Sequence, residues 1–297
     1  MDKRRRAALL VTAAAVMWGT YGAFVTAISA RGMSGNVIVF LRFLATCIPV
    51  FLYLYCTDRE KLRVRAVDLP LFAANGLASI LFFTACYTAA IRETKIAVAA
   101  ALLYTSPAMV MLLSAALFRE KLTVRKVLCI ALAVAGCALV SGLGRGSGGL
   151  TLRGLLLGLG SAFGYALYSI FSRLIQQRGY SAFTNMFYTF SVATAAFFLL
   201  ILFDGTATEI LRLPWASALG LVCGLVTGLA AYQAYTTGLE HMEPSRAAQL
   251  ATVEPVSAAL LGAILFGQRL SFAEIAGVAL VVGAVLGMNL SHPRDKN

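Results

Sequence analysis

Glu254 and Arg42 are the residues of this chain best placed to do chemistry, because each interrupts a long apolar run. Glu254 stands with Pro255 near the middle of PSRAAQLATVEPVSAALLGAILF, residues 244–266. A carboxylate at membrane depth is costly, so it faces a cavity or a partner charge. Pro255 has no N–H and leaves the carbonyl of Ala251 without its helical partner. Backbone freed in this way is tolerated in a bilayer only where it is re-satisfied or lines a wet cavity. Arg42 lies about six residues from the end of another apolar run, roughly 9 Å deep at helical rise. Glu254 lies about ten residues from the opposite side, roughly 15 Å deep. In a hydrocarbon core about 30 Å thick, the two heights differ by only about 6 Å. Two readings stand side by side. One is a structural ion pair that locks two helices. The other is a pair of anchors, with a substrate carboxylate on Arg42 and a proton or amine on Glu254.

Polar and aromatic stripes accompany these charges. Helical spacing puts Trp18, Tyr21, Gly22 and Val25 on one face, and Tyr165, Tyr168, Ser169 and Ser172 on another. Asn185, Tyr188 and Thr189 form a third, and Asn75, Ser79, Phe82 and Cys86 a fourth. Tyr104 precedes Pro107 by three residues, and Gln233 lies between Tyr232 and Tyr235. A polar face at mid-membrane has no water to meet unless it lines a cavity. The expected lining is therefore Trp18, Tyr21, Ser79, Tyr104, Tyr165, Tyr168, Asn185 and Gln233, around Arg42 and Glu254. Tyr53, Tyr55 and Tyr235, nearer helix ends, read as interfacial belt residues. Aromatic faces hold cations and flat rings, which points toward amines or aromatic metabolites.

The elements that must position these residues follow from composition. Of 297 residues, 60% are hydrophobic and 13% charged, against about 25% charged in a soluble domain. The class is an all-α membrane protein. Ten runs reach the length of a spanning helix: 7–29, 36–56, 69–91, 96–118, 125–143, 152–174, 182–203, 214–239, 244–266 and 272–290. The net charge of +12 comes from Lys and Arg in short loops, so it is a positive-inside signal and not a nucleic-acid stripe. Basic residues crowd the side holding Lys3 to Arg6, Arg59 to Arg65, Arg119 to Lys126, and Arg178. Both termini are accordingly expected in the cytoplasm, and the chain in the cytoplasmic (inner) membrane. The basic opening followed by an apolar run is read as the first helix, not a signal peptide: the run is over-long, holds Trp18 and Tyr21, and lacks an A-x-A site. The six cysteines lack paired spacing and read as small hydrophobes, with no metal site. No P-loop, H-E-x-x-H or G-x-S-x-G is present, so neither enzyme chemistry nor a cofactor is expected.

The chain repeats itself. WGTYGAFVTAISARGMSGNVIVFLRF (18–43) aligns without gaps to YALYSIFSRLIQQRGYSAFTNMFYTF (165–190). Farther along, Tyr87-Thr88 meets Tyr235-Thr236, Pro107 meets Pro255, and Leu117-Phe118 meets Leu265-Phe266. Five helices per half is an odd number, so the second half enters from the opposite side. The expected architecture is two inverted five-helix repeats, residues 1–145 and 146–297, around a central cavity. The glycine-rich stretch at 141–149 is the candidate joint. Glycine ladders such as Gly220, Gly224 and Gly228 read as packing contacts, and the fifth and tenth helices as peripheral support.

Several of these features together resemble the EamA family of the drug/metabolite transporter superfamily. They are Trp18-Gly19, Phe40-x-Arg42-Phe43, and the paired endings Pro107…Leu117-Phe118-Arg119-Glu120-Lys121-Leu122 and Glu254-Pro255…Leu265-Phe266-Gly267-Gln268-Arg269-Leu270. The resemblance covers nearly the whole chain. It implies ten helices, inverted repeats, and a cavity open to alternate sides that moves small metabolites, commonly by export and often amino acids. Gln268 departs from the family's acidic residue, kept as Glu120 in the first half. The expected function is a secondary transporter of a small polar or amphipathic metabolite, with protons a candidate coupling ion. The competing reading is a non-saturable channel, or a membrane-embedded scaffold or receptor, whose polar stripes only glue helices.

Overall fold

Each apolar run of about twenty residues forms a helix, because only intrahelical hydrogen bonds satisfy the backbone away from water. The computed structural model describes residues 3–94, 96–140, 151–266 and 271–289. The spans are α1 (Lys3–Gly19 and Tyr21–Ser29), α2 (Gly35–Thr57), α3 (Leu69–Gly76, Leu77–Leu81 and Phe82–Glu93), α4 (Ile96–Leu103 and Ser106–Phe118) and α5 (Val124–Val140). The second half holds α6 (Leu152–Gln177), α7 (Ala182–Phe203), α8 (Pro214–Cys223, Gly224–Ala230 and Ala231–Leu239), α9 (Pro244–Ala251 and Val253–Phe266) and α10 (Phe272–Asn289). No strand occurs among the described residues. Eight of these helices are long and apolar enough to cross a membrane, and a shorter apolar helix covers Phe272–Gly287. The joint expected at 141–149 and the Gln268 departure lie outside the described residues.

Helix ends follow local chemistry. The Thr151 hydroxyl accepts the amide of Gly154 at 3.0 Å, and that of Ser181 accepts the amide of Thr184 at 3.1 Å, capping α6 and α7. The prolines act as expected. α4 is interrupted at Tyr104–Thr105 just before Pro107, and α9 at Thr252 just before Pro255. α1 also breaks, at Thr20, whereas its counterpart α6 runs unbroken for 26 residues.

The halves also match in places that the side chains do not advertise. Leu77–Leu81 of α3 and Gly224–Ala230 of α8 are π-helical turns at equivalent positions. The register that pairs Tyr87 with Tyr235 sets Gly76 against Gly224. A Cβ on Gly76 would come within 2.7 Å of the Thr189 carbonyl oxygen in α7, and one on Gly224 within 2.5 Å of the Arg42 carbonyl oxygen in α2. Only glycine allows these approaches. Gly32 and Gly179, paired in the alignment, hold φ of +85° and +88° in equivalent turns.

Large apolar side chains cover the exterior: Leu9, Phe51, Leu112, Leu156, Phe203 and Leu286 are all exposed. The interior is where the polar groups lie, with Asn75, Asn185, Thr189 and Gln249 fully buried. Polar groups also tie the halves at both rims. Asp68, 1% exposed, accepts from Arg65 Nε at 2.7 Å, from the Tyr180 hydroxyl at 2.6 Å, and from Arg178. Glu120 and Glu243 share Lys126, and Glu120 accepts from Ser245. At the opposite rim, Glu209 accepts the Ser34 amide at 2.7 Å and Asp204 accepts from Asn36 at 2.7 Å.

Candidate functional site

The breaks in α1 and α9 lie against each other. A Cβ on Gly19 would come within 2.9 Å of the Glu254 carbonyl oxygen, so Gly19 allows α1 to cross directly over the start of the second α9 segment. The Ser257 hydroxyl reaches across the crossing to the Ala15 carbonyl of α1 at 3.4 Å. Trp18, one residue earlier, is thereby carried to the bundle centre, where its indole meets Tyr232 at 5.0 Å, Tyr235 at 5.2 Å and Tyr165 at 6.5 Å.

Trp18, Tyr165, Tyr168, Tyr232 and Tyr235, with Phe83, Ser79 and Ser169, enclose a cavity of about 10 Å³. That holds about one water molecule. A small metabolite needs far more room than this. Three of the four phenols have a tether of their own among the described hydrogen bonds. Tyr168 shares a 2.9 Å hydrogen bond with Thr236, and Tyr235 a 2.7 Å one with Ser169. The Tyr165 hydroxyl donates to Glu254 Oε2 at 3.2 Å.

Arg42 lies on the α2 side of this enclosure. Its Nη2 donates to the Thr227 carbonyl at 2.9 Å, and its guanidinium lies 4.4 Å from the Tyr21 ring centroid and 5.7 Å from that of Tyr232. The same carbonyl accepts Trp18 Nε1–H at 3.0 Å. Thr227 belongs to the π turn of α8, where wider backbone bonds replace the i to i−4 ladder. Arg42 Nε is buried without a hydrogen-bond partner. No ion pair within 4.0 Å joins Arg42 to Glu254 among the described residues. The two groups contact different aromatic residues, Arg42 the rings of Tyr21 and Tyr232 and Glu254 the hydroxyl of Tyr165, and do not pair directly in this conformation.

The sequence matches the model of the EamA-like transporter family twice, over residues 5–142 and 152–290. The chain belongs to the EamA-like transporter family. It is 30% identical to an "Uncharacterized transporter" of Archaeoglobus fulgidus over 93% of both chains. It is 24% identical to the "Uncharacterized transporter YetK" of Bacillus subtilis, over 89% of this chain and 86% of the relative. A crystal structure with 19% identity superposes at a TM-score of 0.79 over 96% of each chain, which concerns the fold alone. The protein is thus an integral, multi-pass membrane protein of a transporter family.

Against this EamA-like frame, the residues singled out by sequence divide into groups. Trp18, Ser79, Tyr165 and Tyr168 wall the cavity, and Glu254 joins them through Tyr165. Tyr21 and Arg42 form an adjoining stack. Asn185 is elsewhere: its amide donates to Ser172 at 2.9 Å, and its carbonyl oxygen accepts from Asn75 at 3.2 Å and Thr189 at 3.0 Å, all within a dry cluster of α3, α6 and α7. Tyr104 packs beside Cys137, Val256 and Val281, and Gln233 faces a separate cleft.

Three wall residues were not foreseen. Tyr235, read as an interfacial residue, is 2% exposed and central. Tyr232 was noted only as a neighbour of Gln233, although the side chains beside a buried glutamine in α8 were a usable signal. Phe83, not Phe82, faces inward, and Phe82 is 44% exposed. The π turn at Leu77–Leu81 adds a residue between Asn75 and the phenylalanines, so the regular i to i+7 spacing counted from Asn75 selects Phe82 instead of Phe83.

Proposed function

We propose that this protein is a secondary transporter that moves a small polar or amphipathic metabolite, an amino acid or a related amine or aromatic compound, by alternating access. The observation that carries the reading is Glu254: a carboxylate beside a helix break, tethered by Tyr165 alone among the described hydrogen bonds and left unpaired by Arg42. An acidic group and a cationic group that do not pair directly suit a ligand with an amine at one end and a carboxylate at the other. Glu254 is the group that exchanges with a proton or with the substrate amine, and Arg42 receives the carboxylate. The halves are inserted with opposite orientation in the cytoplasmic membrane, both termini inside, as the Lys and Arg distribution supports. Export is the direction that the family resemblance supports.

Purified protein in proteoliposomes tests this. Counterflow of a labelled ligand, first found by a thermal-shift screen of amino acids and amines, should saturate, and Glu254→Gln should abolish it while the protein still folds. Linear, non-saturable flux would favour a channel. Unchanged counterflow in Glu254→Gln would remove Glu254 from the mechanism.

A further inference from the structure

A second cavity lies outside the aromatic enclosure and has another character. Helices α2 and α8 touch along one half of their length, where Gly220 meets Leu41, Gly224 meets Arg42 and Gly228 meets Thr46. Beyond that point they part. A cleft of about 550 Å³ opens between Pro49 and Tyr53 of α2 and Leu229, Ala230 and Gln233 of α8, with Arg6 of α1 at its mouth. The parting has two local causes. Pro49 sits inside α2, where its ring and missing N–H bend a helix. On α8 the π turn ends at Ala230, level with the cleft floor.

Two properties of the cleft point to its occupant. Its walls are largely apolar, and it runs along α8 from Leu229 to Thr237, about 12 Å at helical rise and close to the depth of one leaflet's hydrocarbon. Its mouth carries Arg6, which is exposed and belongs to the basic run Lys3 to Arg6. An acyl chain and an anionic phosphate meet both demands in one molecule.

The geometry points to a phospholipid site: one anionic lipid, such as phosphatidylglycerol, seats an acyl chain between α2 and α8, with its phosphate on Arg6. This site is separate from the transport reading, since lipid retention is measured without any substrate.

Native mass spectrometry of the full-length protein tests the assignment, with phosphatidylglycerol and phosphatidylcholine of matched chains added at equal concentration. Wild type should retain a single phosphatidylglycerol about five-fold over phosphatidylcholine, in keeping with one basic residue near the phosphate. Arg6→Gln, at an exposed position, should erase that preference. Ala234→Phe, which fills the cleft without touching Arg6, should release the lipid of either kind. Equal retention of the two lipids by wild type overturns the proposal. So does undiminished phosphatidylglycerol on a folded Ala234→Phe protein, which would leave only surface attraction to the basic run.

Discussion

The Tyr165 hydroxyl reaches from the unbroken α6 to the carboxylate of Glu254 at the interruption of α9, across 3.2 Å. It links the rigid helix of the second half to the helix whose backbone is weakest. Removing the oxygen alone therefore separates Glu254 from the aromatic wall without emptying any space. Tyr165→Phe should cost about 1 kcal/mol of stability, a small change in detergent melting. Counterflow in proteoliposomes should fall by about an order of magnitude if about 1.4 kcal/mol of ligand positioning is lost with it. Full counterflow would show that the bond only packs the helix.

Trp18 and Arg42 converge on one acceptor, the carbonyl of Thr227. Trp18→Phe and Arg42→Gln should each destabilise by about 1–3 kcal/mol. Because they share a partner, the double variant should deviate from additivity by about 0.5–3 kcal/mol. Thermal or denaturant unfolding of the four proteins in one detergent measures this, and additive losses would mean that the π-turn carbonyl couples nothing.

The paired glycines offer a matched comparison. Gly76→Ala and Gly224→Ala each push a methyl against a backbone oxygen of the facing helix, at about 1–3 kcal/mol each. Gly283→Ala meets nothing within 4 Å and should be neutral or stabilising by up to about 1 kcal/mol. Melting temperatures of the three variants decide it.

Asn185 separates packing from pathway. Asn185→Ala takes one hydrogen-bond partner from each of Asn75, Ser172 and Thr189 in a buried cluster and should cost about 1–3 kcal/mol. Relative uptake of competing ligands should stay as in wild type, because the side chain does not reach the cavity wall. A changed ligand ranking in competition assays would return Asn185 to the pathway.

What could be read from residues alone tracks where side chains report backbone behaviour. Prolines announce themselves, so the interruptions near Pro107 and Pro255 were legible, as were the spans, which apolar length defines. The break at Thr20 and the π turns have no such marker, since ordinary residues occupy them. Their effect is rotational, and it explains why Phe83 replaces Phe82 at the wall. Spacing identifies a polar face but not the neighbour it meets. Asn185 and Gln233 were correctly seen as unusual inside a membrane helix, yet one met a buried cluster and the other a lateral cleft. Tyr235 was misread because distance from a helix end measures depth poorly when α8 contains a wide turn.

That wide turn has a mechanical consequence. A π turn holds one residue more than the α turn it replaces, so shifting it along the chain by a step conserves the number of backbone bonds while turning the residue it passes by about 100°. α3 and α8 each contain one such ratchet, in matching places on opposite halves. Side chains next to either turn can thus be swung one at a time, without melting the helix that carries them.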